Sequence, residues 1–404
     1  MKISSATLSI AFSQIGHSMS HFFMLLYPTC VLALEKEFNQ SYGELLVLMT
    51  LGNVLFGVAA LPAGWLGDRW STLGMMIIFF LGLGASAIFT GFMSSTSGLV
   101  FGLALIGLFA SIYHPVGMAW LVKNSRNKGR ALGINGVFGS LGVASAALIA
   151  GILTDTISWR AAFIAPGILA LLVGIALIYC TKRGLVAETF SDTKPFVKPP
   201  ASDMKRVFIV LSFTMLLNGI IYQSVTSALP KIFAEGMPNW TGGKAAAAGS
   251  LVSFVYLCAM GASLIGGYLS DRVSVKNLYI ATTVLQIPMY VLAASLIDLP
   301  LLVVITFGAV LNTIAVPTEN VMLTRYTPER WRATAFGAKF VLALGFGALG
   351  VPMVAYLHDT TGSFHTYYLL LAGIALSIAV IAIGIPAERT RQKMDASLAA
   401  KAMP

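Results

Sequence analysis

Long apolar runs alternate with short polar breaks along the whole chain. Twelve stand out, at roughly residues 6–34, 42–66, 72–94, 98–122, 131–154, 160–181, 206–234, 245–269, 276–297, 299–323, 333–357 and 363–386. A helix of ~20 apolar residues crosses the hydrocarbon core of a bilayer. Backbone polar groups in lipid must be satisfied within the segment, so each run reads as a helix. The pattern predicts an all-α membrane protein with twelve transmembrane helices.

The longest polar break, after the sixth run, holds Pro195, Pro199 and Pro200 among charged and hydroxyl residues. Such composition marks a connecting segment. The reading is an N-terminal six-helix half (1–181), a linker (182–205), a second six-helix half (206–387) and a tail (388–404). The halves repeat. Gly-Trp-Leu-Gly-Asp-Arg at 64–69 matches Gly-Tyr-Leu-Ser-Asp-Arg at 267–272, at an offset of 203. Pro28 and Pro230, Pro115 and Pro317, Arg130 and Arg332, and Asp155 and Asp359 pair in the same order at offsets of 202–204. Six-helix repeats are a transporter architecture, with the site between the halves near the bilayer midplane.

Composition agrees. Of 404 residues, 57% are hydrophobic and 10% charged, against about 25% charged in a soluble domain. The net charge of +10 could suggest a nucleic-acid partner. The position of the charges argues against it. With the N-terminus in the cytoplasm, 21 of the 26 basic residues fall on the cytoplasmic side. Lys36, Arg160, Lys231 and Lys244 fall outside, and Lys339 lies within a helix. This positive-inside bias predicts a multi-pass protein with both termini cytoplasmic. The compact loops point to a bacterial inner membrane. No cleavable signal is expected, because Met-Lys-Ile-Ser-Ser runs straight into the first apolar segment. Cys30, Cys180 and Cys258 have no metal-ligand spacing and imply no disulfide framework.

Gly64-x-x-x-Asp68-Arg69 between the second and third helices, with its partial copy Gly267-x-x-x-Asp271-Arg272, resembles the signature loop of the major facilitator superfamily. The likeness extends over the whole chain. It implies the major facilitator fold, alternating access, and a cavity lined by helices one, four, seven and ten. Asp68 is expected just past the second helix, paired with a basic residue such as Arg130, so that breaking the pair biases a rocking equilibrium. The alternative is a solvated loop. Ser20-His21 with Tyr27-Pro28, Tyr113-His114-Pro115, and Gly136-Val-Phe-Gly139-Ser-Leu-Gly142 resemble the narrower fosmidomycin-resistance exporter branch. That likeness implies efflux of small drugs or metabolites against proton influx. The fifth helix has Gly142-Val143 where antiporters of this type carry Gly-Pro. An uptake symporter for an organic anion is therefore the alternative.

Polar residues inside the runs are the candidates for transport. Of sixteen acidic residues, Glu319 alone lies well inside a predicted helix. It sits six residues before Arg325, and Lys339 seven after Arg332, so the two lie roughly 9 and 10 Å in on antiparallel helices. Charges at one depth invite pairing. Glu319 could bind the coupled proton or a cationic group, with Lys339 tuning it or holding an anion. A purely structural pair, or a Lys339 that snorkels, is the alternative.

His17 and His21 are four residues apart and share a helix face. His114 reaches a depth near that of His17. Three readings stand: substrate or proton binding, aided by an imidazole pKa of about 6.5; structural hydrogen bonding; or a metal site. No metal is called for, because no cysteine or carboxylate joins the three in their half. Tyr113 accompanies His114. Asn218, Tyr222 and Gln223 on helix seven and Asn312 on helix ten are further cavity candidates, with helix–helix hydrogen bonding as the alternative. No nucleotide-binding Gly-x-x-x-x-Gly-Lys-Ser/Thr motif occurs, and no cofactor is expected. The basic balance of the predicted cavity favours an anionic or zwitterionic solute. The expected protein is a monomeric proton-coupled transporter with small solutes, protons and lipid as partners. A membrane enzyme or sensor is the remote alternative, because none of the outer loops holds the polar cluster an enzyme would need.

Overall fold

The computed structural model describes residues 4–125, 128–186, 201–327 and 332–386. Within them the chain forms twelve helical rods in antiparallel succession. We label them α1 (Ser5–Leu25 and Tyr27–Phe38), α2 (Tyr42–Arg69), α3 (Thr72–Gly91), α4 (Thr96–Asn124), α5 (Lys128–Thr156), α6 (Trp159–Lys182), α7 (Ala201–Gly236), α8 (Ala245–Arg272), α9 (Val275–Ala293), α10 (Asp298–Tyr326), α11 (Thr334–Thr361) and α12 (His365–Ile383). Ten are long and apolar enough to cross a membrane. The other two, α1 and α9, are diluted by side chains such as Gln14, His17 and His21, and Asn277 and Gln286. Exposed Ile168, Leu172 and Ile175 on α6 and Leu376, Val380 and Ile383 on α12 make an apolar exterior suited to lipid.

Local chemistry sets the turns. Ser4, Ser71, Ser95, Ser158 and Ser274 each cap the helix that follows by accepting from a backbone N–H. Ser41 and Glu44 form a reciprocal capping box at the start of α2. Asn39, Gly242 and Gly362 take left-handed conformations to stop α1, the short Pro238–Thr241 helix and α11. The first rod breaks at Leu26, because Pro28 has no N–H to donate and its ring crowds the preceding turn.

The helices run further than the apolar runs. Asp68 and Arg69 were expected in a loop past the second helix; instead they lie in the last turn of α2. Likewise Asp271 and Arg272 close α8. A helix end in water needs no apolar side chains, so hydrophobicity stops before the hydrogen-bond ladder does. Similarly, α7 begins at Ala201, before the apolar run that starts at 206. Residues 187–200 of the expected linker, the 388–404 tail and the side chain of Arg130 lie outside the described residues.

The two halves meet along α5 against α8 and α2 against α11. Both seams use small residues to bring backbones together. Ala245, Gly249 and Ser253, spaced by four on α8, face Gly151, Ala147 and Ala144 on α5. Ser253 Oγ donates to the Ala144 carbonyl. These contacts all lie toward the face opposite the chain termini, which we call the far face. Three turns away on the same side of α5, Gly136 has open space where a Cβ would be. On the other seam, a Cβ at Gly57 would fall on the Gly345 backbone. Gly57→Val is therefore expected to lower the melting temperature in detergent, because backbone cannot yield and overpacking costs about 1–3 kcal/mol. Gly136→Ala should melt with the wild type in the same assay.

Candidate functional site

Two buried polar clusters face the middle of the bundle, one from each half. The first is built on α1 and α4. His17 and His21, one turn apart, bring their ring centroids to 5.1 Å. His114 comes from α4 where that helix widens into a π-turn over Tyr113–Gly117, an irregularity common at functional sites. Its ring lies 5.5 Å from His17 and 5.3 Å from His21. His17 meets His21 and His114, as helix spacing and depth predict; the contact of the deeper His21 with His114 was not expected.

Neighbours fix their orientation. His17 stacks on Tyr113 at 4.9 Å. The nitrogen Nδ1 of His17 lies 2.6 Å from the Asn135 carbonyl of α5. The Tyr113 hydroxyl donates to Asn135 Oδ1 at 2.8 Å, and Ser13 Oγ donates to the Gly117 carbonyl at 2.8 Å. His114 stacks on Phe340 of α11 at 4.6 Å, so the cluster touches the other half. Both ring nitrogens of His114 are buried without a hydrogen-bond partner among the described residues.

The second cluster is an ion pair. Lys339 Nζ on α11 lies 2.7 Å from Glu319 Oε1 on α10, and both side chains are buried. Lys339 also donates to Asn320 Oδ1 at 2.6 Å. The Tyr279 hydroxyl reaches Glu319 Oε2 at 3.4 Å. Pairing thus prevails over snorkelling, since carboxylate and amide hold the ammonium inside. The adjacent residue Phe340 is the one stacked on His114, so the clusters are neighbours through a single helix turn.

The amide candidates separate. Asn218 donates to the Tyr279 hydroxyl at 2.7 Å. Gln223 donates to the Leu344 carbonyl at 3.3 Å. Both knit helices of the second half together. Tyr222 and Asn312 line a small cavity in that half, with Thr313, Tyr256, Tyr290 and Tyr368. Asn312 also donates to Gln286 Oε1 at 3.3 Å.

Gly64 packs at 3.0 Å from Pro115 and Gly67 at 2.8 Å from Val116, measured from an added Cβ. The loop motif thus lets α2 lie against the π-turn that carries His114. Gly267 has no such neighbour within 4 Å. Arg69 lies over Trp65 at 4.8 Å and Arg272 over Tyr268 at 4.2 Å. Asp68 and Asp271 are exposed.

At the far face the halves are joined by contacts that the sequence did not reveal. Asp155, at the end of α5, accepts from the backbone N–H groups of Ala245 and Ala246 at 3.2 and 2.8 Å, where α8 begins. Asp359, at the end of α11, accepts from the Gly43 N–H at 3.0 Å and from Ser41 Oγ at 2.5 Å, where α2 begins. Each half therefore clasps the N-terminus of the other half's second helix. Negative charge is stabilised there by unpaired N–H groups and the helix dipole. Lys231 of α7 adds a bond to Glu35 of α1 at 2.8 Å, and Glu235 joins Lys231 and His358. Asp155 and Asp359 were visible as repeat landmarks, but backbone partners leave no trace in side-chain identity. Asn135, Tyr279 and Gln286 were also missed. Their one signal is a polar residue inside an apolar run.

The profile of the Major Facilitator Superfamily matches residues 7–255 and 241–401. The chain is 22% identical over 365 residues to a probable 4-methylmuconolactone transporter of Cupriavidus pinatubonensis (strain JMP 134 / LMG 1197), covering 86% of this chain and 82% of that protein. It is 29% identical over 155 residues to the inner membrane transport protein YnfM of Escherichia coli (strain K12), covering 37% of each. Among solved structures, a peptide transporter POT in complex with sulfate superposes with a TM-score of 0.77 at 14% identity, covering 95% of this chain and 94% of that one. An inward-facing bacterial homologue of the human lysosomal transporter Spinster superposes with a TM-score of 0.69 at 13% identity, covering 95% of both.

Proposed function

The chain belongs to the Major Facilitator Superfamily and is a multi-pass transporter of small organic solutes rather than an enzyme; from that premise we propose that it carries a small organic anion together with a proton. The observation that carries this reading is the buried pair of Glu319 and Lys339, 2.7 Å apart. While the pair is intact, the ammonium is occupied. A proton on Glu319 cancels the carboxylate charge and frees Lys339 for an anionic group of the solute. Proton and anion then favour each other's binding, and by linkage the coupling is reciprocal. Two ligands that bind together cross together, which is symport. Once Glu319 is protonated, Lys339 is the one fixed charge left in the two clusters, which points to the same sign of solute. The relative named for 4-methylmuconolactone supports a small organic solute.

The clasps supply the gate. The face bearing both termini lies in the cytoplasm, as the basic residues suggest, and the far face, where the halves are joined, looks outward. Release of Asp155 and Asp359 from the helix N-termini opens that face for alternating access. Export in exchange for protons, which the likeness to the fosmidomycin-resistance exporters favours, requires solute and proton to compete for one group. A cationic solute at Glu319 would compete in that way.

The test is purified protein in proteoliposomes with a trapped pH-sensitive dye. Candidate carboxylates, phosphonates and lactones, 4-methylmuconolactone first, are added outside. Symport predicts that an anionic solute acidifies the lumen as it enters, and that an inward proton gradient drives its accumulation. Luminal alkalinisation on solute entry would overturn symport in favour of exchange.

A further inference from the structure

We propose that His17, His21 and His114 form a binding site for one divalent transition-metal ion of the zinc, cobalt or nickel class. One ligand nitrogen from each of the three rings lies within 4.8 Å of the others. In a tetrahedral site with metal–nitrogen bonds of ~2.0–2.1 Å the nitrogens sit about 3.3 Å apart. Small rotations of the rings close that difference, since the ring torsion lies in a broad well. Two histidines at positions i and i+4 of one helix present their nitrogens to one point, the spacing used by helical zinc motifs. The third comes from the π-turn of α4, which brings the His114 ring 5.5 Å from His17 and 5.3 Å from His21.

The surroundings fit a metal better than a plain aromatic cluster. His17 can donate from Nδ1 to the Asn135 carbonyl at 2.6 Å, which leaves Nε2 with its lone pair for an ion. That is the outer-shell bond metal-binding histidines commonly make, and it fixes the tautomer. Tyr113 and Phe340 clamp the His17 and His114 rings by stacking. Both His114 nitrogens are buried and unpartnered, so the ring offers a lone pair that nothing else among the described residues takes up. Gly139 leaves room for the His17 ring, because a Cβ there would meet its Cε1 at 2.5 Å. The nearby positive charge of Lys339 is held by Glu319 and Asn320.

No cysteine or carboxylate joins the three in this group. Imidazole alone suits ions of this class, and three neutral histidines with an open fourth position are a known zinc arrangement. The fourth position would take water, hydroxide or a solute carboxylate, whose charge would offset that of the ion.

The experiment uses the full chain in detergent, metal-free, with its purification tag removed. It is titrated with Co2+, whose visible spectrum reports tetrahedral nitrogen coordination, followed by Zn2+. One Co2+ per chain is expected, displaced by Zn2+. His21→Ala and His114→Ala should each weaken binding by about 100-fold or more, beyond the loss expected from an outer-shell partner alone. His365→Ala, an exposed histidine outside the cluster, should bind as wild type does, which separates this site from adventitious histidine binding. Because His114 is buried, metal-free melting of each variant is measured alongside; His21 is only partly buried, so its variant tests the site even if His114→Ala is unstable. No saturable binding by wild type, or binding unchanged in the folded His21→Ala protein, would overturn the site.

Discussion

Glu319→Ala is expected to destabilise the protein by about 3–5 kcal/mol, because it leaves the Lys339 ammonium buried without its counter-charge. Asn320 alone would then hold the ammonium, through one amide oxygen. The double variant Glu319→Gln with Lys339→Met should melt close to wild type, since neutral groups of similar size avoid desolvating a charge. It should nonetheless fail to accumulate solute on a proton gradient. The two readouts separate stability from coupling. Thermal melting in detergent measures the first, and gradient-driven uptake into proteoliposomes the second. If the single variant were as stable as wild type, the pair would be dispensable to the fold. If the double variant still accumulated solute, the proton would travel elsewhere.

The two clusters are built differently, and the difference shows what the sequence could reveal. Glu319 and Lys339 were legible because a charge in an apolar run is rare, and counting residues from each helix end gave their depth. The histidines were legible for the same reason. Helix spacing put His17 and His21 on one face, and depth brought in His114. What the sequence could not supply was azimuth. Asn218 and Gln223 sit on α7 at suitable depth, yet they turn toward Tyr279 and Leu344. A run apolar on nearly every side gives no face from which to infer their direction.

Helix ends were hidden for another reason. The Asp68–Arg69 and Asp271–Arg272 pairs look like loop residues because they are charged, but the helix keeps its hydrogen bonds as it enters water. The π-turn at Tyr113–Gly117 also has only a partial signal, Pro115, which removes one donor from the ladder. That proline marks a departure from regular helix without saying whether the result is a bend or a widening. Here the widening carries a candidate ligand, and Gly64 lets α2 pack onto it.

Replacing Asp155 and Asp359 together by asparagine is expected to open the far face. Each carboxylate holds a helix N-terminus of the opposite half through charge-assisted bonds. Asparagine keeps the shape and one acceptor but removes the negative charge. The loss is about 1–2 kcal/mol for each clasp, from the helix-terminus charge and the weaker bonds. The clasps sit on different helices and share no partner, so their effects should add. Together they shift the equilibrium between sealed and open forms by roughly 30- to 1000-fold toward the open one. Each single variant should give an intermediate shift. Spin labels on Ser97 and Ser295, exposed near the far ends of the two halves, would read this as a longer distance distribution in the double variant. The pseudo-symmetry of the clasps makes the comparison sharper. If Asp155→Asn alone produced the whole effect, the α5–α8 seam would be the latch and Asp359 a local cap. If the double variant kept the wild-type distances, the small-residue seams and the Lys231–Glu35 bond would suffice to hold the face shut.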